Sequence, residues 1–83
     1  MAAVRIEFTI EPFVDGRPGP HVLAAIGAVE ESGVVVDVGP FSSIVDVTAE
    51  AVATTVSRLL DAALAHGATG VTLRIERALE DDA

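Results

Sequence analysis

The sequence contains no cysteine, lysine, asparagine, glutamine, tryptophan or tyrosine. The absence of cysteine excludes disulfides, thiolate metal ligands and a cysteine nucleophile. Without lysine there is no Schiff-base chemistry and no Walker-type phosphate loop. The 83 residues include only 5 basic side chains, all arginine, against 13 acidic ones, which gives a formal net charge of -8. This balance disfavours nucleic acid and anionic membranes as partners, because both attract basic proteins.

The length of 83 residues has room for one domain, which we expect to span residues 1–83. Residues 77–83 are predicted to be a frayed acidic tail of that domain. The longest apolar run, residues 22–29, is far shorter than the roughly 20 residues that cross a membrane. The first residues carry no secretory signal pattern, so we expect a cytoplasmic protein.

Hydrophobic periodicity predicts four strands and two helices. Strict alternation over residues 4–11 predicts the first strand, and β-branched runs predict strands over residues 34–38 and 43–47. A helix is predicted from Pro20 to a stop at Gly33, with Val22, Leu23, Ile26 and Val29 in its apolar stripe. A second helix is predicted from an N-cap at Thr48 to a stop at Gly67, and a last strand over residues 71–76.

The order β-α-β-β-α-β predicts an α+β fold of the ferredoxin-like class, a four-stranded antiparallel sheet with two helices on one face. Each helix has a single apolar stripe and therefore covers only one face of the sheet. The second helix is expected to bury Val52, Val56, Leu59, Leu60, Ala63 and Leu64. The opposite sheet face is polar and of mixed charge, and we expect it to pack on a partner in a homodimer or homotetramer. Its predicted residues are Arg5, Glu7, Thr9, Thr72, Arg74 and Glu76.

Catalytic and metal sites are not indicated by the residues present. His21 and His66 belong to opposite ends of different helices, and no His-x-x-x-His or Glu-x-x-His spacing occurs. We expect His21 to be solvated or packed on a loop, and His66 to interact with a helix C-terminus. Ser42 and Ser43 lead into a strand, unlike the serine of a nucleophile elbow. The prediction is therefore a protein that is not an enzyme and that carries no metal or cofactor.

Binding of a small molecule is the function that the remaining residues favour. Carboxylates on the strands, among them Glu7 and Asp46, suit a cationic or amine-bearing ligand. The turn before the third strand combines the ring of Phe41 with the hydroxyls of Ser42 and Ser43. An apolar ring surface with a few directed hydrogen bonds is what a small heteroaromatic ligand requires.

Three segments, residues 4–13, 31–43 and 65–75, resemble the thiamine-binding, YkoF-like family of small bacterial and archaeal proteins. The resemblance covers most of the chain and keeps the order of the elements. Its most telling part runs from Glu31 through Gly39-Pro40 to Phe41 and is followed by small hydroxyl residues. No single segment is specific, and the spacing of all three carries the resemblance.

The resemblance implies a ferredoxin-like domain that binds thiamine (vitamin B1) or its hydroxymethylpyrimidine moiety without catalysis and associates through its sheets. Relatives usually carry Gly-Thr in place of Ser42-Ser43 and Glu-Gly in place of Asp46-Val47. A hydroxyl and a carboxylate are thus kept at these positions, and the glycine is lost. The ligand-binding residues expected on these grounds are Glu7, Thr9, Phe41, Ser42, Ser43 and Asp46.

Two other functions fit the same fold. One is an oligomeric regulatory module that binds an amino acid or another metabolite at a subunit interface. The other is a structural oligomer without a ligand, in which the sheet face serves only for assembly. A thermal-shift screen separates them, because amino acids stabilise the first and no metabolite stabilises the second.

Overall fold

The computed structural model describes residues 3–12, 19–39 and 42–77, and these form four strands and two α-helices. The strands make one antiparallel sheet in the order β2-β3-β1-β4, which confirms the predicted ferredoxin-like fold. In chain order the elements are β1 (Ala3–Glu11), α1 (Pro20–Glu30), β2 (Asp37–Val38), β3 (Ser43–Thr48), a 3-10 turn (Ala49–Ala51), α2 (Val52–Ala65) and β4 (Gly70–Arg77).

The central strand β1 shows the predicted alternation. Ile6, Phe8 and Ile10 are at most 3% exposed and form the middle of the hydrophobic core. Across the sheet they pair with Val45 and Ser43 of β3 and with apolar residues of β4, so this face is largely apolar. Burial of that face beneath the helices is the main stabilising contribution to the fold.

The helices end at Glu30 and Ala65, and the predicted stop glycines follow them, with φ angles of 94° at Gly33 and 101° at Gly67. The exposed and buried sides of the helices differ from the prediction at two leucines. Leu23 is 57% and Leu64 is 59% exposed, although both were predicted to lie in apolar stripes. In their place α1 buries His21 and α2 buries Thr55. Both polar residues lie four positions before buried residues, which puts them on the core side of their helices.

The predicted second strand is wrong in length, because only Asp37 and Val38 pair with β3. The backbone N–H of Val36 donates to Oε2 of Glu30 at 3.3 Å instead of to a neighbouring strand. Val36 is buried while Val35 is 82% exposed, so the valine run packs one side chain into the core without extending the ladder. The β-branched composition indicated a strand, and tertiary contacts shortened it.

The second helix also begins later than predicted. Thr48 precedes the 3-10 turn and makes no side-chain capping bond, and α2 itself starts at Val52. The predicted acidic tail falls almost wholly on residues 78–83, which lie outside the described residues, while Arg77 is the last residue of β4. Among the helices described, none is long and apolar enough to cross a membrane.

Candidate functional site

The sheet face opposite the helices, called here the open face, is built of cross-strand rows. In one row Arg5 of β1 lies between Asp46 of β3 and Glu76 of β4. In the next, Glu7 lies between Ile44 and Arg74, and Asp37 continues that row on β2. The mixed-sign polar face predicted from the alternation is therefore present, with Arg5, Glu7, Thr9, Asp37, Ile44, Asp46, Thr72, Arg74 and Glu76 on it.

Two ion pairs neutralise part of this face. The Arg5 guanidinium donates to both carboxylate oxygens of Asp46, from Nε to Oδ1 at 2.9 Å and from Nη2 to Oδ2 at 3.1 Å. This hydrogen bond holds the pKa of Asp46 below its ordinary value, despite a small opposing effect of burial. On β4, Nε of Arg74 donates to Oε1 of Glu76 at 2.6 Å. Both guanidinium groups of the face are thus directed at carboxylates other than Glu7.

The carboxylate of Glu7 has a different kind of partner. Its Oε2 accepts a hydrogen bond from Oγ of Ser42 at 2.8 Å, and both residues are half-buried. The donor is neutral, so the bond orients the carboxylate without supplying a positive charge. Ser42 also accepts a backbone bond at its carbonyl from the N–H of Gly39 at 2.9 Å, which fixes the turn before β3. Glu7 is therefore an oriented acid at the centre of the open face.

The predicted site residues divide into three groups. Glu7, Thr9, Ser42 and Asp46 are brought together at the open face, on β1, on β3 and in the turn before it. Ser43 is only 5% exposed, and it belongs to the helix-covered side of β3 together with Val45 and Val47. The side chains of the two adjacent serines therefore lie on opposite faces of the sheet, and Ser43 is not part of the group on the open face. Phe41 lies outside the described residues.

The register adds Ile44 to the predicted open face and supplies the partner of Arg5, which the alternation already predicted there. Ile44 is a half-buried apolar residue beside Glu7, and Arg5 forms the ion pair with Asp46. Alternation along β3 could have placed Ile44 on this face as well. The partners of both residues follow only from how β1 aligns with β3, which the separate strand patterns do not specify.

Both histidines bond to backbone carbonyls away from the open face. His21 is 6% exposed, and its Nε2 lies 2.7 Å from the carbonyl oxygen of Pro12, a contact in which the ring N–H donates. Nδ1 of His66 lies 2.9 Å from the carbonyl oxygen of Ala62 in the last turn of α2. Across residues 3–12, 19–39 and 42–77, no three His, Asp or Glu side chains are gathered to hold a metal ion.

Comparison with solved structures shows the fold and no more. The chain superposes with a TM-score of 0.66 and 24% identity on a domain of unknown function, DUF77, from Bacillus cereus, covering 94% of this chain and 76% of that one. It also superposes on protein SP2199 from Streptococcus pneumoniae with a TM-score of 0.60 and 20% identity, covering 98% and 89% of the two chains. No protein-family model and no curated protein sequence matches the chain.

Proposed function

We propose that the protein binds thiamine or its hydroxymethylpyrimidine moiety on the open face, without catalysing a reaction and without a further cofactor. The single observation that supports this proposal is the half-buried Glu7 carboxylate, oriented by Ser42 at 2.8 Å and lacking a bond to either guanidinium group of the face. A half-buried carboxylate that is fixed in place and forms no ion pair with the guanidinium groups of the face, although Arg74 lies opposite it on β4, favours a cationic or amino-bearing ligand.

The chemistry of thiamine complements these groups. Its aminopyrimidine carries an amino donor next to a ring-nitrogen acceptor, and its thiazolium is permanently cationic. In the proposed arrangement Glu7 accepts from the amino group, and the Ser42 hydroxyl, whose one proton is donated to Oε2 of Glu7, holds the carboxylate in place. Phe41, which directly precedes Ser42 in the chain, is the ring proposed to stack on the ligand. A net charge of -8 raises the local concentration of a cation around the protein.

Assembly through the sheet into a homodimer or homotetramer is part of the same proposal. Its support is the half-buried Ile44 in the middle of a polar face that neither α1 nor α2 covers. A second sheet stacked on the first would bury this side chain and enclose the space around Glu7. Light scattering over a hundredfold concentration range measures whether such an assembly forms.

Titration calorimetry of the full chain with thiamine, hydroxymethylpyrimidine and thiamine phosphates tests the ligand. We expect saturable heat with at least one of them. Glu7→Gln removes the charge while keeping the shape of the side chain, and it should weaken binding about tenfold or more, since a hydrogen bond to a charged group contributes roughly 1.5–3 kcal/mol.

Glu50→Gln is the matched control, because Glu50 is an exposed acid in the 3-10 turn, away from the open face. It should leave the affinity unchanged. Absence of heat at millimolar ligand with all three compounds contradicts the proposal. A thermal shift produced by amino acids, with none from thiamine, would favour the regulatory module described above.

A further inference from the structure

The two edges of the sheet are protected to different degrees. One edge is β2, which is only two residues long, so few backbone groups are left there for pairing. The other edge is β4, which runs for eight residues and pairs only with β1 among the strands described. No strand within residues 3–12, 19–39 and 42–77 pairs with its outer side, and proteins normally shorten, charge or cover such an edge.

The second half of β4 also exposes apolar surface. Val71 and Leu73 are half-buried on the helix-covered face, but Ile75 on the same face is 46% exposed. On β1 its partner is Ile6, which is fully buried. The exposed surface of Ile75 therefore faces away from β1, towards the outer edge of the sheet. The backbone edge and this isoleucine are therefore open to the same side of the molecule.

We propose that β4 pairs antiparallel with β4 of a second copy of this chain, about a two-fold axis at Ile75, to form one continuous eight-stranded sheet. In this register Arg74 of each copy lies directly opposite Glu76 of the other, and the two Ile75 side chains meet on the helix-covered face. Side chains directly opposite in an antiparallel pair lie about 5 Å apart, close enough for both ion pairs to form between copies.

Charge selects this register over its neighbours. A two-fold axis perpendicular to the sheet lies midway between the two copies of one residue of β4. Moving the axis by one residue changes which residues lie opposite each other along the whole strand pair. An axis at Arg74 sets two guanidinium groups against each other, and an axis at Glu76 sets two carboxylates against each other; both arrangements are destabilising. An axis at Leu73 puts Arg74 opposite Thr72 and leaves Arg74 bonded only to Glu76 of its own strand, so no ion pair joins the two copies. The charges of β4 are therefore complementary to those of a second β4 when the axis lies at Ile75.

This inference concerns the strand edge and does not depend on ligand binding at the open face. It is also separable from stacking of two open faces. Ile75 lies on the helix-covered side of the sheet, so stacking open face on open face leaves the two Ile75 side chains on the outside, far from each other. An experiment that reports contact between these two positions therefore identifies edge pairing alone.

The absence of cysteine allows a direct test with the full chain. Ile75→Cys places one thiol per copy at the proposed axis, where the two Cα atoms would be about 4.5–5.5 Å apart, within the range that a disulfide spans. Mild oxidation should convert most of this variant into a covalent dimer. Ser57→Cys, an exposed position on α2, reports collisional cross-linking and should remain largely monomeric on a reducing-agent-free gel.

Charge exchange tests the register independently. Arg74→Glu and Glu76→Arg each create like-charge pairs across the axis and should each weaken dimerisation at least about tenfold in sedimentation equilibrium. An equimolar mixture of the two variants restores opposite charges at both pairs, so mixed dimers should form. Arg58→Glu makes the same charge change on the exposed side of α2 and should not alter dimerisation.

Two outcomes overturn the proposal. One is that Ile75→Cys cross-links no faster than Ser57→Cys while circular dichroism shows both variants folded. The other is failure of the charge exchange, seen either as a dimer that persists in Arg74→Glu or as single variants that stay monomeric when mixed. Failure of thiamine binding in calorimetry has no bearing on either result, so the two proposals fail separately.

Discussion

The two faces of one sheet use the same strands in opposite ways. On the helix-covered face Ile6, Phe8 and Val45 are at most 2% exposed, and their contribution is burial of apolar surface. On the open face Arg5 and Asp46, from the alternate positions of the same strands, form an ion pair whose side chains are 48% and 46% exposed. Exposed pairs of this kind add little stability. The comparison separates the face that folds the protein from the face left available for contacts.

A matched pair of isoleucines should show the largest difference between the faces. Ile6→Ala empties a fully buried position and should lower the free energy of unfolding by about 2–5 kcal/mol. Ile44→Ala, on the open face of the adjacent strand, should cost about 1 kcal/mol, because Ile44 is only half-buried. Urea denaturation of dilute protein measures both. Equal losses would mean that the open face is covered in solution, and the contrast between the faces would not hold.

The two adjacent serines offer a second and smaller test. A double-mutant cycle of Ser42→Ala with Glu7→Ala should give a coupling of about 1 kcal/mol, because their hydrogen bond is lost in either variant. The same cycle with Ser43→Ala should give none, since Ser43 lies on the helix-covered face. Coupling of Glu7 to Ser43 would contradict the assignment of the two hydroxyls to opposite faces.

The smallest effect is expected from pH at the open face. The hydrogen bond from Arg5 lowers the pKa of Asp46 in the folded protein, so the pair stabilises the fold at pH values above the ordinary pKa of an aspartate. This contribution is lost as the pH falls through the lowered pKa. Asp46→Asn should flatten the acid side of the stability curve slightly, and added salt should shrink the difference. An unchanged curve in Asp46→Asn would show that the pair contributes nothing measurable.

The sequence alone predicted the element order, the sheet class and the polar face, because these depend on periodicity within single segments. Features that depend on contacts between distant segments, such as the length of β2, are predicted less accurately. The valine run of residues 34–38 has strong strand character, but a bond from Val36 to Glu30 and the burial of Val36 leave only Asp37–Val38 in the ladder. A side chain six residues away in the chain cannot be inferred from the strand pattern.

The candidate site shows the same limit. Glu7 and Asp46 were selected by residue type, and both lie on the open face. Their different surroundings, a serine hydroxyl for one and a guanidinium for the other, depend on register and turn geometry. Ser43 was selected with Ser42 because both are hydroxyl residues, whereas the period of two along a strand already sends neighbours to opposite sides.

The bond between His21 and the Pro12 carbonyl has a consequence for how the chain tolerates change. It joins the end of β1 to the start of α1, and a side chain at Gly19 would approach Cε1 of His21 to 2.7 Å, so the junction is closely packed. The bond therefore holds the two ends of this connection, Pro12 and His21, next to each other. Any side chain at Gly19 would have to displace the His21 ring and disturb the bond that joins these two points. Gly19 is therefore needed for the room that it leaves to a buried ring and not for an unusual backbone angle, since its φ of -81° is open to any residue.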